Sequence, residues 1–356
     1  MTSPLFPGDP VELADLLKEG AAQGRKAFVA GRDSRAGFGA DPGPIDLRLR
    51  LERMTGFLRF SPEDLTCSLG PGTTLGEFEE TLSEEGLAFA PGPFHGCRER
   101  TLGGLLAESP PNPRGFDRAH LRSQCLGFEA VDGRGRRFAA GGRVVKNVAG
   151  YDLMKLFVGS GGALMAVTRL ELRLIALPPV ILCLRSDWLP PLEAAGVWRK
   201  LRRRLPTPSW LDLVLDGGRA CVELGLAGAA SHVTELARGS GLRTVAEGLE
   251  AWRGGGGTEI PAGGEVRGRV RPSEVGSFLE SLGGNARGRI HYQGAFGLEV
   301  GYPDSLPPAF RGPPSLEPAA AKIALRLKDR LGGILAPGRL SFRIPRPLPE
   351  RGRRVR

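Results

Sequence analysis

The placement of glycine constrains this chain more than any other feature. Its 356 residues include 53 Gly and 30 Pro, and the glycines follow no fixed period. That excludes a collagen-like fibre. Glycine is favoured where backbone turns sharply or comes close to a ligand, because it lacks a Cβ. Here the glycines gather in short runs: Gly70-Pro71-Gly72, Gly103-Gly104, Gly141-Gly142 and Gly159-Ser160-Gly161-Gly162. Hydrophobic residues at 41% and charged residues at 25% allow a sizeable core, and the length suits two domains.

Between the turns the apolar pattern predicts short elements in α+β order. Residues 11–19 read as a helix, with Val11, Leu13, Leu16 and Leu17 on one face. Residues 26–30 and 46–51 read as strands, and 57–60 with 65–69 as a hairpin. A helix starts at Thr74, where Glu77 completes a capping box, and stops at Gly86. Residues 90–127 read as a long irregular region. Strands follow at 127–131 and 136–139, a helix at 144–162, and a strand at 167–175. Pro178-Pro179 marks the expected domain boundary. Beyond it, strands (180–184, 211–215, 220–226, 265–270, 289–292, 298–300) alternate with helices (192–205, 232–237, 273–282). That order suits an antiparallel sheet backed by helices. A Pro-rich linker at 303–318, a helix at 319–331 and a basic tail complete the chain.

The formal charge is +10, and 42 of the 49 basic residues are Arg. The arginines are spread along the chain, apart from clusters at 199–204 and 343–356. The aromatics do not interleave with them, so solvated faces are the expected reading. A nucleic-acid-binding protein is a remote alternative resting on charge alone. Cys67, Cys97, Cys125, Cys183 and Cys221 show no metal-ligand spacing, so no metal site is expected and the thiols are read as reduced. Residues 1–10 lack the features of a signal peptide, and the longest apolar stretch, 174–184, is too short to span a bilayer. A soluble, cytoplasmic protein is expected.

Residues 141–174 carry the densest chemistry. Two glycine turns bracket a segment with the polar handles Lys146, Asn147, Tyr151, Asp152 and Lys155. Such turns let backbone N–H groups approach an anion or a flat ring. The segment VVKNVAGYDLMKLFVGSGGAL, residues 144–164, closely resembles the FAD-binding subunits of bacterial glycolate oxidases, in the vanillyl-alcohol-oxidase-like, PCMH-type FAD-binding family. The run DLTCSLGPGTTLGEFEETL, the TLGG loop, the DGRGR hairpin and a late LAPGRL segment fit in order.

The resemblance implies a fold and a function. Residues 1–176 would form a PCMH-type FAD-binding domain of two α+β subdomains. Residues 180–319 would form an α+β cap domain with an antiparallel sheet covering the isoalloxazine. Residues 320–343 would return to the first domain, and 344–356 would be a basic tail. Non-covalent FAD would lie against three loops: Gly31, Arg32 and Ser34; Thr101, Leu102, Gly103 and Gly104; and Gly161, Gly162, Ala166, Val167 and Thr168. The chain would serve a 2-hydroxy-acid oxidoreductase, with a larger flavoprotein subunit and an iron–sulfur subunit as partners. Peripheral attachment to the inner membrane could come through that complex.

Two loops depart from the family pattern. Gly31-Arg32-Asp33-Ser34 stands where Gly-Gly-Gly-Ser/Thr is usual, which would place the Asp33 carboxylate near phosphates, with Arg32 able to compensate by pairing with them. Pro110, Pro111 and Pro113 remove N–H donors after the TLGG loop, and Ser123-Gln124 stands where Arg-Asp is usual. A structural subunit without flavin is therefore a second reading. No His stands in the first loop to attach flavin covalently; His95, His120, His232 and His291 lie elsewhere. Arg289 and His291, two apart in a strand, are the candidates for holding a substrate carboxylate and taking its hydroxyl proton.

Overall fold

The computed structural model describes residues 3–34, 44–92, 94, 98–110, 114, 120–142, 153–205, 208–254, 266–268, 275, 279, 287–291 and 297–301. The helix expected at 319–331, the LAPGRL segment, the basic tail, His95, Lys146, Asn147, Tyr151 and Asp152 lie outside these residues.

The first half runs α1 (Pro10–Ala22), β1 (Ala27–Ala30), β2 (Leu47–Arg50), β3 (Phe57–Ser61), β4 (Thr66–Leu69), α2 (Leu75–Glu84) and β5 (Leu87–Ala88). It continues with α3 (Leu102–Glu108), α4 (Leu121–Gln124), β6 (Cys125–Val131), β7 (Arg137–Gly141), α5 (Met154–Phe157), β8 (Ala166–Arg173) and β9 (Ile175–Ala176). Local chemistry sets the ends. The Asp9 carboxylate accepts from the Val11 and Glu12 amides, with Pro10 opening α1. Thr74 and Glu77 form the expected capping box of α2. Gly86 follows that helix at φ +65°.

β1 and β2 pair in parallel, beside a five-stranded antiparallel sheet of order β3-β4-β8-β6-β7. One apolar cluster, from Leu13 to Leu174, fills both parts. The irregular region expected at 90–127 is interrupted by α3 and α4, and β6 begins at Cys125. Gly103 and Gly104 lie inside α3 rather than before it. Of the helix expected at 144–162, residues 144–152 lie outside the described residues, Met154–Phe157 is helical, and glycines at positive φ then turn the chain into β8.

The second half runs β10 (Val180–Arg185), α6 (Pro191–Arg204), β11 (Trp210–Asp216), β12 (Arg219–Gly228), α7 (Ala230–Ser240), β13 (Arg243–Glu247) and α8 (Gly248–Trp252). β14 (Val266–Gly268), β15 (Arg287–His291) and β16 (Gly297–Gly301) follow. Among the described residues these strands make one antiparallel sheet, ordered β13-β10-β12-β11-β15-β16-β14. Its aliphatic face packs on α6 and α7 through Trp198, Leu211, Leu213, Val222, Leu224 and Val233. The basic residues of α6 crowd its C-terminal turn, where the helix dipole favours cations. The sequence reading missed β13 and α8. The expected α+β class with antiparallel sheets is observed.

The halves meet at a small apolar cluster in which Ala88 joins Ile181, Trp210, Ala246 and Trp252. Two arginines cross this junction. Arg253 donates to the Glu79 carbonyl at 3.2 Å and the Ser83 hydroxyl at 3.1 Å. Arg114 is 4% exposed and lies over the Trp252 ring, 3.5 Å from its centroid.

Candidate functional site

The three loops singled out in the sequence converge on one cleft. It encloses about 1030 Å³, counting its open mouth and the solvent there. Gly31, Arg32 and Ser34 line it where the chain leaves β1. Thr101, Gly103 and Gly104 line it at the start of α3, and Gly161, Gly162, Ala166 and Val167 at the entry to β8. Leu51, Pro71, Phe157 and Met165 supply apolar wall. Leu102 and Thr168 do not line it. Leu102 is fully buried in the apolar cluster, and Thr168 is buried within β8.

The close approach of the loops requires glycine. A Cβ on Gly31 would fall 2.0 Å from the Thr101 hydroxyl oxygen, and one on Gly103 would fall 2.7 Å from the Pro71 Cβ. The amides are another matter. Those of Leu102 and Gly103 already donate to the Thr73 and Pro71 carbonyls, at 2.8 and 2.9 Å. The Gly104 amide donates to the Thr101 hydroxyl at 3.3 Å, capping α3. The Gly161 amide bonds the Ala107 carbonyl at 2.7 Å, and that of Gly162 the Ser160 hydroxyl at 3.2 Å. By contrast, the amides of Gly31, Arg32, Asp33 and Ser34 donate to no acceptor among the described residues. Asp33 holds φ +64°, the left-handed conformation that Asp tolerates better than most non-glycine residues. It thus supplies the backbone shape a glycine would have given.

The charged groups at the cleft are matched. The Asp33 carboxylate pairs with Arg48, so it does not face an anion uncompensated. Arg32 reaches Glu99 at 2.9 Å in a surface pair, with Glu99 88% exposed, and such pairs contribute little. Arg100 and Glu108 pair across the length of α3 with side chains only 8% and 9% exposed, and both line the cleft. The sequence reading missed this pair. Its signal was two opposite charges, eight apart, at the ends of an apolar Gly-rich run.

The expected substrate pair is placed elsewhere. Among the described residues none beyond Val167 lines the cleft. Arg289, in β15, is 0% exposed and donates to Glu223 at 2.6 Å and Asp212 at 3.1 Å. Burial alone disfavours its charge, but the two carboxylates outweigh burial and raise its pKa above the ordinary value. It is consumed as a structural cation. His291 ends the same strand, its backbone opposite Asp212 and Gly297. Cys67, Cys125, Cys183 and Cys221 are buried. Burial raises the Cys221 thiol to about 11, away from the reactive range. Among the described residues no group of three potential ligands could hold a metal, and no helix is long and apolar enough to cross a membrane.

Comparison with known proteins bears on this cleft. The family described as FAD binding domain matches residues 4–141, which include the first two cleft loops. The glycolate oxidase subunit GlcE of Escherichia coli strain K12 is 33% identical over 159 residues, 45% of this chain and 45% of that protein. The D-lactate dehydrogenase of Archaeoglobus fulgidus is 31% identical over 168 residues, 47% of this chain and 37% of that one. GlcD of Bacillus subtilis is 33% identical over 140 residues, 39% of this chain and 30% of that protein. The chain thus spans less than half the length of these relatives. An alkyldihydroxyacetonephosphate synthase structure aligns over 94% of this chain and 75% of its own, with TM-score 0.64 and 13% identity, a likeness of fold.

FAD fits the residues present. The cleft has an apolar wall for flat rings and a run of amides at 31–34, unbonded among the described residues, for a dianionic pyrophosphate. With the side-chain charges already paired, those amides carry the anion's compensation.

Proposed function

We propose that this chain is the FAD-binding subunit of a glycolate-oxidase-type 2-hydroxy-acid oxidoreductase. The convergence of three loops, each selected from sequence, on one cleft with unbonded amides at residues 31–34 carries this reading. Residues 1–176 hold the cofactor and residues 180–319 form the cap. Gly31, Arg32 and Ser34 provide the anion cradle. Thr101, Gly103 and Gly104 act through shape more than through hydrogen bonds, as do Gly161 and Gly162. Ala166 and Val167 lay strand backbone along the cofactor. Bound FAD supplies a two-electron acceptor for the hydride leaving the substrate's α-carbon. The substrate's hydroxyl proton needs a base, and a larger flavoprotein subunit is the natural source of it. An iron–sulfur subunit would take electrons onward, since this chain shows no cysteine cluster for one.

The spent amides of 102–104, 161 and 162 favour one alternative, a structural subunit of the same complex that keeps the fold without the flavin. The test is reconstitution of the purified full chain with excess FAD. A yellow protein that holds stoichiometric flavin through gel filtration and releases it on denaturation supports the cofactor reading. A colourless, folded protein overturns it in favour of the structural subunit.

A further inference from the structure

Arg114 stands out among the buried cations. It lies six residues beyond Glu108, the last residue of α3, whose other end and inner face line the cleft. Its amide donates to the Gly92 carbonyl at 2.9 Å. One guanidinium nitrogen reaches the Phe89 and Ala90 carbonyls, both at 3.3 Å. The other donates to the Trp252 carbonyl, at the end of α8 in the second half. The guanidinium plane covers the Trp252 ring at 3.5 Å and stands 5.9 Å from that of Trp210. A desolvated Arg over Trp is the strong limit of the cation–π interaction, about 2 kcal/mol or more. Arg253 also joins the halves, but its hydrogen bonds among the described residues go to α2 and not to the α3 exit.

From this difference, and resting on the FAD reading above, we infer that Arg114 is a positioning residue for the cofactor cleft. It fastens the exit of α3 to Trp252, so that docking of the second half sets the shape of the cleft wall. α3 is seven residues long, too short to hold itself. Its wall bears on the cleft through Gly103, Gly104, Ala107 and Glu108. Its C-cap, Ser109, sits at φ +49°, a conformation held only if the surroundings fix it. Trp252 in the second half and α3 in the first are thus tied through one side chain. Linkage then requires reciprocity: docking at Trp252 tightens FAD, and FAD tightens docking.

The experiment compares the full-length wild type with Arg114→Ala, Arg114→Lys and Arg253→Ala. It follows hydrogen exchange at residues 102–108 and 248–252, without and with FAD, alongside the FAD dissociation constant from flavin fluorescence. Without flavin, Arg114→Ala should speed exchange in both segments, while Arg253→Ala should speed it only at 248–252. With flavin, Arg114→Ala should weaken FAD about tenfold or more, Arg114→Lys should fall between, and Arg253→Ala should weaken it less than about threefold. FAD should slow exchange at 248–252 in the wild type. Unchanged exchange at 102–108 in Arg114→Ala overturns the coupling, as does an equal effect of the two alanine variants on FAD. If Arg114→Ala does not fold, Arg114→Lys and the wild-type protection at 248–252 decide. If the wild type binds no FAD, the functional reading fails, and the flavin-free exchange still decides the coupling.

Discussion

The two halves use arginine and glycine in opposite ways. Around the cleft, charged side chains are paired at the rim or along α3, and the amides of residues 31–34 meet no acceptor among the described residues. In the second sheet the backbone is closed into ladders, and the charge is sealed inside it: Arg289 lies among Asp212 and Glu223, with Arg185 on Glu223 at 2.8 Å. Glycine in the first half makes room for a guest. Gly225 in the second makes room for Trp210, whose ring would lie 1.9 Å from an added Cβ. A half that exposes backbone to a ligand must keep competing charges satisfied. A half that buries charge in a sheet has fixed its conformation and has none to offer.

The sharpest way to break this comparison is Arg289→Ala. If the cation is structural, its loss leaves Asp212 and Glu223 facing each other across β11 and β12, with Arg185 still on Glu223 but the cation they share removed. Breaking a buried ion pair on one side costs about 3–5 kcal/mol. Urea denaturation followed by tryptophan fluorescence should show that loss, with the Trp198 and Trp210 signal reporting the second sheet. A variant within about 1 kcal/mol of wild type would free Arg289 for a role with substrate.

A smaller effect is expected from Gly31→Ala. Its methyl group would collide with Thr101, the N-cap of α3, and overpacking of this kind costs about 1–3 kcal/mol. Because the collision lies in the cleft wall, FAD affinity should fall with stability. The matched change in the second half is Gly196→Ala, inside α6, where nothing lies within 4 Å of the new methyl. It should stabilise by about 0.5–1 kcal/mol and leave FAD untouched. Differential scanning calorimetry with and without FAD separates the two. Equal responses to flavin would remove the distinction between the halves.

How much of this was legible in the sequence follows from the same contrast. The alternation of Leu47, Leu49 and Leu51, and of Leu170, Leu172 and Leu174, marked strands because one face of each is buried. The glycine turns marked the cleft because only glycine admits such close approach. The fate of the individual amides was not legible: whether Gly103 donates to a ligand or to Pro71 depends on a residue 32 positions away. Nor was the fate of Arg289, since its partners sit on strands 66 and 77 residues distant. Arg32 and Asp33 looked like a defect in the first loop. Asp33 accepts the left-handed backbone, and Arg48, on the neighbouring strand β2, neutralises it. Helices 102–108 and 248–252 are short enough that tertiary packing, not periodicity, decides them.

The junction between the halves offers the mildest test, through pH. Glu79 of α2 is only 11% exposed, and burial raises its pKa above 4.5. Arg114, Arg98 and Arg253 pull it down, and Glu80 pushes it further up. Its partner Arg98 is 3.4 Å away and 44% exposed, so the pair recovers little of the desolvation. A carboxyl group with a raised folded-state pKa contributes stability below its unfolded value, and that contribution is lost as pH rises through the folded value. The wild type should therefore lose stability relative to Glu79→Gln as pH climbs from about 4.5, by less than about 1 kcal/mol, and then run parallel to it. Urea midpoints at half-unit pH steps measure the difference. A wild type that gains on Glu79→Gln with rising pH would mean that the three arginines outweigh burial. The junction would then hold charge as the second sheet does, and the contrast between the halves would begin at α2 instead of at β10.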